Sequence, residues 1–204
     1  MLAVLLVAAR LRAADVATPG PTTPDDSRPP TGFGATKFGM SLAEVWSLYP
    51  KAELLGQTEL LGASNVGGPY VDRLALRKQA VAGLDKPTTV ELRFWKNQLW
   101  TVIVYFGDND LEHSKAYLLK TFGPPQGSDP DSPTWPGATV TTSATLKQRW
   151  YGTSDNGLSK EVAAWFADVL SGKWKDASPA EKAEREHRMA ALTPRAAQTP
   201  GHEH

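Results

Sequence analysis

Two hydrophobic periods, one helical and one alternating, divide this chain into elements. Ser41-Leu-Ala-Glu44 forms a capping box, in which the Ser and Glu side chains each satisfy a free amide at a helix start. Leu42, Val45, Trp46, Leu48 and Tyr49 then recur at helical spacing until Pro50 ends the run. The glycine-rich stretch from Gly56 to Gly68 reads as loop, and Tyr70 to Gln79 alternates imperfectly, with Val71, Leu74 and Leu76 as core positions. Thr88 to Trp95 alternates cleanly, placing Val90, Leu92 and Phe94 opposite Glu91, Arg93 and Trp95. Lys96-Asn97 suits a tight turn, because Asn tolerates a positive φ. Gln98 to Phe106 returns as a strand apolar on both sides, Trp100, Val102, Val104 and Phe106 against Leu99, Ile103 and Tyr105. Such a strand is expected to be central and covered on both faces.

Beyond this hairpin, Asp108-Asn109-Asp110 offers a cap for a helix carrying Leu111, Lys115, Leu118 and Phe122, which Gly123-Pro124 ends. A proline-rich loop follows through Pro136. Thr139 to Tyr151 reads as extended, and Asp155-Asn156-Gly157 as a turn. Glu161 to Leu170 fits a helix by the spacing of Val162, Trp165, Phe166, Val169 and Leu170. An internal echo favours a strand there, because Gly83-Leu84-Asp85-Lys86 before Val90–Phe94 resembles Gly157-Leu158-Ser159-Lys160 before Val162–Phe166. The fold class expected is α+β, an antiparallel sheet packed by helices over residues 33–177. The repeated order allows two tandem helix-then-strands modules, 36–107 and 108–177.

The ends differ in composition. Leu2 to Ala9 is an apolar run too short to span a bilayer, which takes about 20 residues. With Leu11 and Ala13 suited to a cleavage site, residues 1–14 read as a secretory leader, although Arg10 and Arg12 follow the run instead of preceding it. Residues 15–32 hold many Pro, Thr and Asp, and read as a disordered linker. From Ser178 to His204 no apolar stripe is visible. That stretch reads as a disordered tail with one exposed helical piece capped by Ser178.

Composition narrows the function. Lys plus Arg and Asp plus Glu both total 22, and zero net charge argues against a nucleic-acid binder. No cysteine is present, so disulfide frameworks, thiolate nucleophiles and cysteine-held metals are excluded. No segment has the length of a transmembrane helix. The expected localisation is periplasmic or secreted.

Phe38-Gly-Met-Ser-Leu-Ala-Glu-Val45, Phe94-Trp-Lys-Asn-Gln-Leu-Trp100 and Thr121-Phe-Gly-Pro124 resemble the pattern of small bacterial envelope proteins with one or two helix-plus-antiparallel-sheet modules. Outer-membrane assembly lipoproteins and tandem-repeat β-lactamase inhibitor proteins are of this kind. The resemblance spans residues 36 to 170 and implies a fold and a non-enzymatic role. The anchoring cysteine of the lipoproteins and the disulfides of the inhibitors have no counterpart here, and no functional residue carries over.

Candidate chemistry is sparse. Gly107 to His113 gathers Asp108, Asp110, Glu112 and His113, but lacks the further oxygen ligands and late Glu of a calcium loop. Acidic residues also favour the first turn of a helix, so the reading is capping and no metal. His202-Glu203-His204 would hold a metal only loosely. His113 and His187 are the other available bases, and neither a Gly-x-Ser-x-Gly elbow nor a phosphate loop occurs. No cofactor is expected. Seven Trp residues leave one functional theme: Trp95, Trp100, Tyr105 and Trp135 become partner contacts if a sheet face stays bare, and core if helices cover it. The expectation is an exported, non-enzymatic binding or assembly module acting on an envelope protein partner. The alternative is a small enzyme or ligand carrier with its site in the helix–sheet groove.

Overall fold

The computed structural model describes residues 31–57, 71–107, 110–127, 129–173 and 178–197. The leader, the linker through residue 30, the glycine-rich residues 58–70, Asp108-Asn109 and His202-Glu203-His204 lie outside the described residues. In chain order the elements are α1 (Leu42–Leu48), β1 (Glu53–Gln57), β2 (Val71–Gln79), β3 (Thr88–Trp95), β4 (Gln98–Tyr105), α2 (Leu111–Phe122), β5 (Thr134–Pro136), β6 (Val140–Thr145), β7 (Trp150–Asp155), α3 (Asn156–Leu170) and α4 (Pro179–Ala197). The strands form one seven-stranded sheet in the order β1-β2-β3-β4-β7-β6-β5, antiparallel at every pairing. The fold is α+β. Helix-then-strands occurs twice in chain order, and the two strand sets join where β4 pairs with β7.

Local signals act as the residues dictate. Ser41 and Glu44 close the capping box of α1. Lys96 and Asn97 take φ of 46° and 67° in the β3–β4 turn, and the Asn97 side chain accepts the Leu42 amide at 3.2 Å. That bond seats the start of α1 against the hairpin. Gly123, at φ 75°, ends α2 in a conformation that disfavours a side chain.

One face of the sheet carries the main core. Leu74, Leu76, Val90, Leu92, Phe94, Val102 and Val104 meet Leu42, Val45 and Trp46 of α1, Leu118 of α2 and Leu192 of α4. β4 is central, as its composition predicts. Its facing differs from simple alternation. Phe94 pairs with Leu99 and Arg93 with Thr101, so Trp100 is an extra residue at a β-bulge. The bulge turns Leu99 into the main core and Trp100 to the other face, beside Ile103 and Tyr105.

Three expectations for the second half are corrected. Residues 161–170 are helical, not a strand: α3 starts at Asn156, and Asp155 caps it by accepting the Leu158 amide at 2.8 Å. The sequence echo therefore relates a turn and strand to a helix. Asp155-Asn156-Gly157 is accordingly a helix start and not a turn, with Asn156 tied to Thr141 and to the Gly137 carbonyl. The helical piece at Ser178 is nineteen residues long. Its Ser178–Glu181 capping box forms, but the helix docks on the core, with Leu192 only 4 % exposed.

Candidate functional site

The second face of the sheet can be laid out from its register. At one end Val71 of β2 pairs with Trp95 of β3, and α3 lies over them with Trp100, through Leu158, Val162 and Trp165. The next row across the strands is Arg73, Arg93, Thr101, Ser154 and Thr141. Behind it run Ala75, Glu91, Ile103, Gly152 and Ser143, and behind that Tyr105, Trp150 and Thr145. Among the described residues these last three rows belong to neither helix-packed core cluster, although Ala75, Glu91, Thr101 and Ile103 within them are buried, at 0–6 % exposure. The expectation that β4 is covered twice therefore holds only at its Trp100 end.

Glu91 is the electrostatic centre of this face. Its side chain is 5 % exposed, with Arg93 Nε at 2.8 Å and Arg73 Nη1 at 3.7 Å. The Tyr105 hydroxyl donates to its other oxygen at 2.7 Å. Burial, then the adjacent carboxylate, push the Tyr105 phenol above its usual range. A carboxylate with two guanidinium partners and a phenol is held in one position, so the groups around it are ordered in advance. Beside them Gly152 sits close to β4: a Cβ there would lie 3.1 Å from the Val102 carbonyl oxygen, tighter than an ordinary contact.

The four aromatic candidates separate. Trp95 is 1 % exposed, stacks edge-on to Trp165 at 5.5 Å and donates to Glu161 at 3.3 Å. Its ring belongs to the α3 contact, not to a free surface. Trp100 is half-buried against the same cluster and donates to Ser159 at 2.9 Å. Trp135 is on the opposite side, against Phe122 at 5.9 Å, with its N–H given to the Gly123 carbonyl at 2.8 Å. Tyr105 is half-buried on the uncovered rows. Trp150 joins it there, a residue the sequence reading did not single out.

The other candidates are brought together differently from expectation. Asp110 stands at the start of α2, but its side chain makes no cap hydrogen bond; it accepts the Asp85 amide at 3.4 Å instead. The capping role assigned to it is thus corrected, because a second loop competes for the carboxylate. Asp85 also meets His113 Nδ1 at 2.9 Å, with both side chains more than half exposed. Asp85, Asp110 and His113 offer ligand atoms within 4.8 Å of one another, and the Asp85–His113 contact already engages two of them. His187 is exposed on α4.

A shallow depression of ≈ 290 Å³ beside α3 is lined by Phe38, Gly39, Gln98, Asp155, Gly157, Leu158 and Glu161. Its carboxylates are engaged, Asp155 as the α3 cap and Glu161 with Trp95. Among the described residues no helix is long and apolar enough to cross a membrane. No family model, curated protein or solved structure matches the chain at a significant level.

Proposed function

We propose that this chain is an exported binding or assembly module, and that the uncovered rows of its sheet receive a protein partner. One observation carries the reading: Arg73, Arg93 and Tyr105 lie half-buried around the nearly closed Glu91, and the half-buried Trp150 pairs with Tyr105 on the next strand of the same face. Arg, Tyr and Trp are the residues that anchor protein interfaces, and ordering them beforehand lowers the entropy lost on binding. Thr141, Ser143 and Thr145 extend the face with short hydroxyls that impose little steric demand. The engaged carboxylates of the depression beside α3 favour this reading over an enzyme. Export rests on the leader-like residues 1–14.

A photo-reactive residue at Thr145, carried by full-length protein in its native host, tests the interface. A discrete partner should cross-link from Thr145 and fail to do so from Lys120 on α2. Ser143→Arg, which adds bulk to the same face away from the Glu91 group, should abolish the adduct while the melting temperature stays within a few degrees. Equal labelling from both positions would remove this face as the interface. N-terminal mass spectrometry tests export separately: mature protein should begin near Ala14, and intact Met1 on cytosolic material would overturn it.

A further inference from the structure

α1 and α4 cover the same face of the sheet by different means. The inward residues of α1 are Leu42, Val45 and Trp46, all at 0–1 % exposure. In α4 the residues turned inward are Arg185, Arg188, Met189 and Leu192, at i, i+3, i+4 and i+7. The spacing is that of a docking stripe, but half of it is arginine. Arg185 reaches Asp72 on β2, which lies opposite Phe94 in register and is 1 % exposed. Both Arg185 Nε, at 3.0 Å, and Nη2, at 2.5 Å, donate to the same oxygen Oδ1. The other oxygen, Oδ2, is buried with no hydrogen-bond partner among the described residues, and so is Arg188 Nε.

A seat of this kind is near balance. Docking buries one leucine, but desolvates a carboxylate and two guanidinium groups and leaves polar atoms unsatisfied. Release would return those groups to water, while α1 has its own contacts with the core through Leu42, Val45 and Trp46. We propose that α4 is a releasable clasp latched by Arg185 on Asp72, and that the seat it vacates accepts a helix presenting an arginine in the same position. The occupant is recognised by one buried carboxylate and one apolar contact two turns further along the helix, spaced as Arg185 and Leu192 are in α4.

Hydrogen exchange on the full chain tests the latch. In Arg185→Ala the amides of 179–192 should exchange about tenfold faster or more, the change expected when a charge-assisted hydrogen bond is lost. Those of β3 and β4 should keep their protection. Arg185→Lys, which keeps the charge but loses the second donor, should fall between. A labelled synthetic peptide of residues 178–197 should then bind the Arg185→Ala protein, about tenfold more tightly than the same peptide carrying Arg185→Ala. Loss of β3 and β4 protection together with α4 would make the helix an integral part of the core. Unchanged α4 exchange would remove the latch. Equal binding of the two peptides would remove the arginine selectivity.

Discussion

Leu92 and Glu91 are neighbours in β3, and both are buried, at 0 % and 3 % exposure. Leu92 faces α1 and α2 across a layer of aliphatic and aromatic side chains. Glu91 faces away, under no described helix, and is closed in by Arg73, Arg93 and Tyr105. The same strand thus supports two kinds of burial. On the core face water is excluded by helices, and any apolar side chain of the right size serves. On the second face water is excluded by the long side chains of the face itself, so only a specific set of partners serves. The first arrangement stabilises a fold; the second holds a surface in one conformation.

Placing a charge on each face sets the largest contrast. Val104→Asp, 4 % exposed in the wild type, should cost several kcal/mol and unfold most of the domain, because its carboxylate has no partner there. Thr145→Asp on the second face should change stability by no more than about 0.5 kcal/mol. Thermal denaturation of the two variants reads the difference, and similar melting temperatures would dissolve the distinction between the faces.

Removing the centre of the second face is the next effect in size. Glu91→Ala removes the acceptor of the Arg93 Nε–H and of the Tyr105 hydroxyl, and the ion-pair partner of Arg73. The expected loss is about 1–3 kcal/mol by urea denaturation, held to that range because the arginines are 24 % exposed and water reaches them. Glu91→Gln, which keeps the shape and can still accept from Tyr105, should lose less. Equal losses would show that shape alone sets the site.

Asp110 offers a smaller, local test. It is 8 % exposed and bonded to the Asp85 amide, not to α2. Asp110→Ala should cost about 0.5–1.5 kcal/mol, the value of one hydrogen bond, with helicity of α2 unchanged by circular dichroism. Calorimetric titration of the wild type with calcium should show nothing tighter than roughly millimolar, since the Asp85–His113 pair competes with any ion. A micromolar isotherm lost in Asp110→Ala would make the triad a metal site.

The smallest expected effect is at alkaline pH. The Tyr105 phenol is raised in the folded chain, by burial first and by Glu91 second, so the native state keeps a proton that the unfolded state gives up. Its contribution is fully present below about pH 10, the unfolded value. It is lost as pH climbs from there through the folded value. Tyr151, also raised by burial, acts with the same sign on the core side. Tyr105→Phe should therefore lessen the alkaline fall in melting temperature but not abolish it. An unchanged slope would show that the second face does not restrain the phenol.

Legibility followed the range of the interaction. The β3–β4 hairpin, the capping boxes at Ser41 and Ser178 and the Gly123 stop depend on residues a few positions apart, and each could be read in the chain. α3 was harder, because an apolar run of ten residues satisfies both periods, and its resemblance to residues 83–94 pointed to the wrong one. What decided it was the Asp155 cap. The bulge at Trp100 had no local signal: alternation set Trp100 on the face of Val102 and Val104, and pairing with β3 moved it to the other. Of the aromatic candidates Tyr105 reached the uncovered rows, while Trp150 was hidden by the 3-10 turn at Leu146–Gln148 that precedes it.

By itself the sequence determined the class, an antiparallel sheet with helices, and the central place of β4. Those follow from hydrophobic period, which each residue and its near neighbours define. Only the tertiary structure decided which face of that sheet is covered. It also decided that Glu91, Arg73, Arg93 and Tyr105 form one group, and that the polar stripe of α4 finds Asp72 in register with Phe94. These depend on strand register and on contacts between residues far apart in the chain, where a one-residue shift such as the bulge exchanges one face for the other. A stripe of two arginines has no apolar period to read, and its meaning lies in the carboxylate it meets.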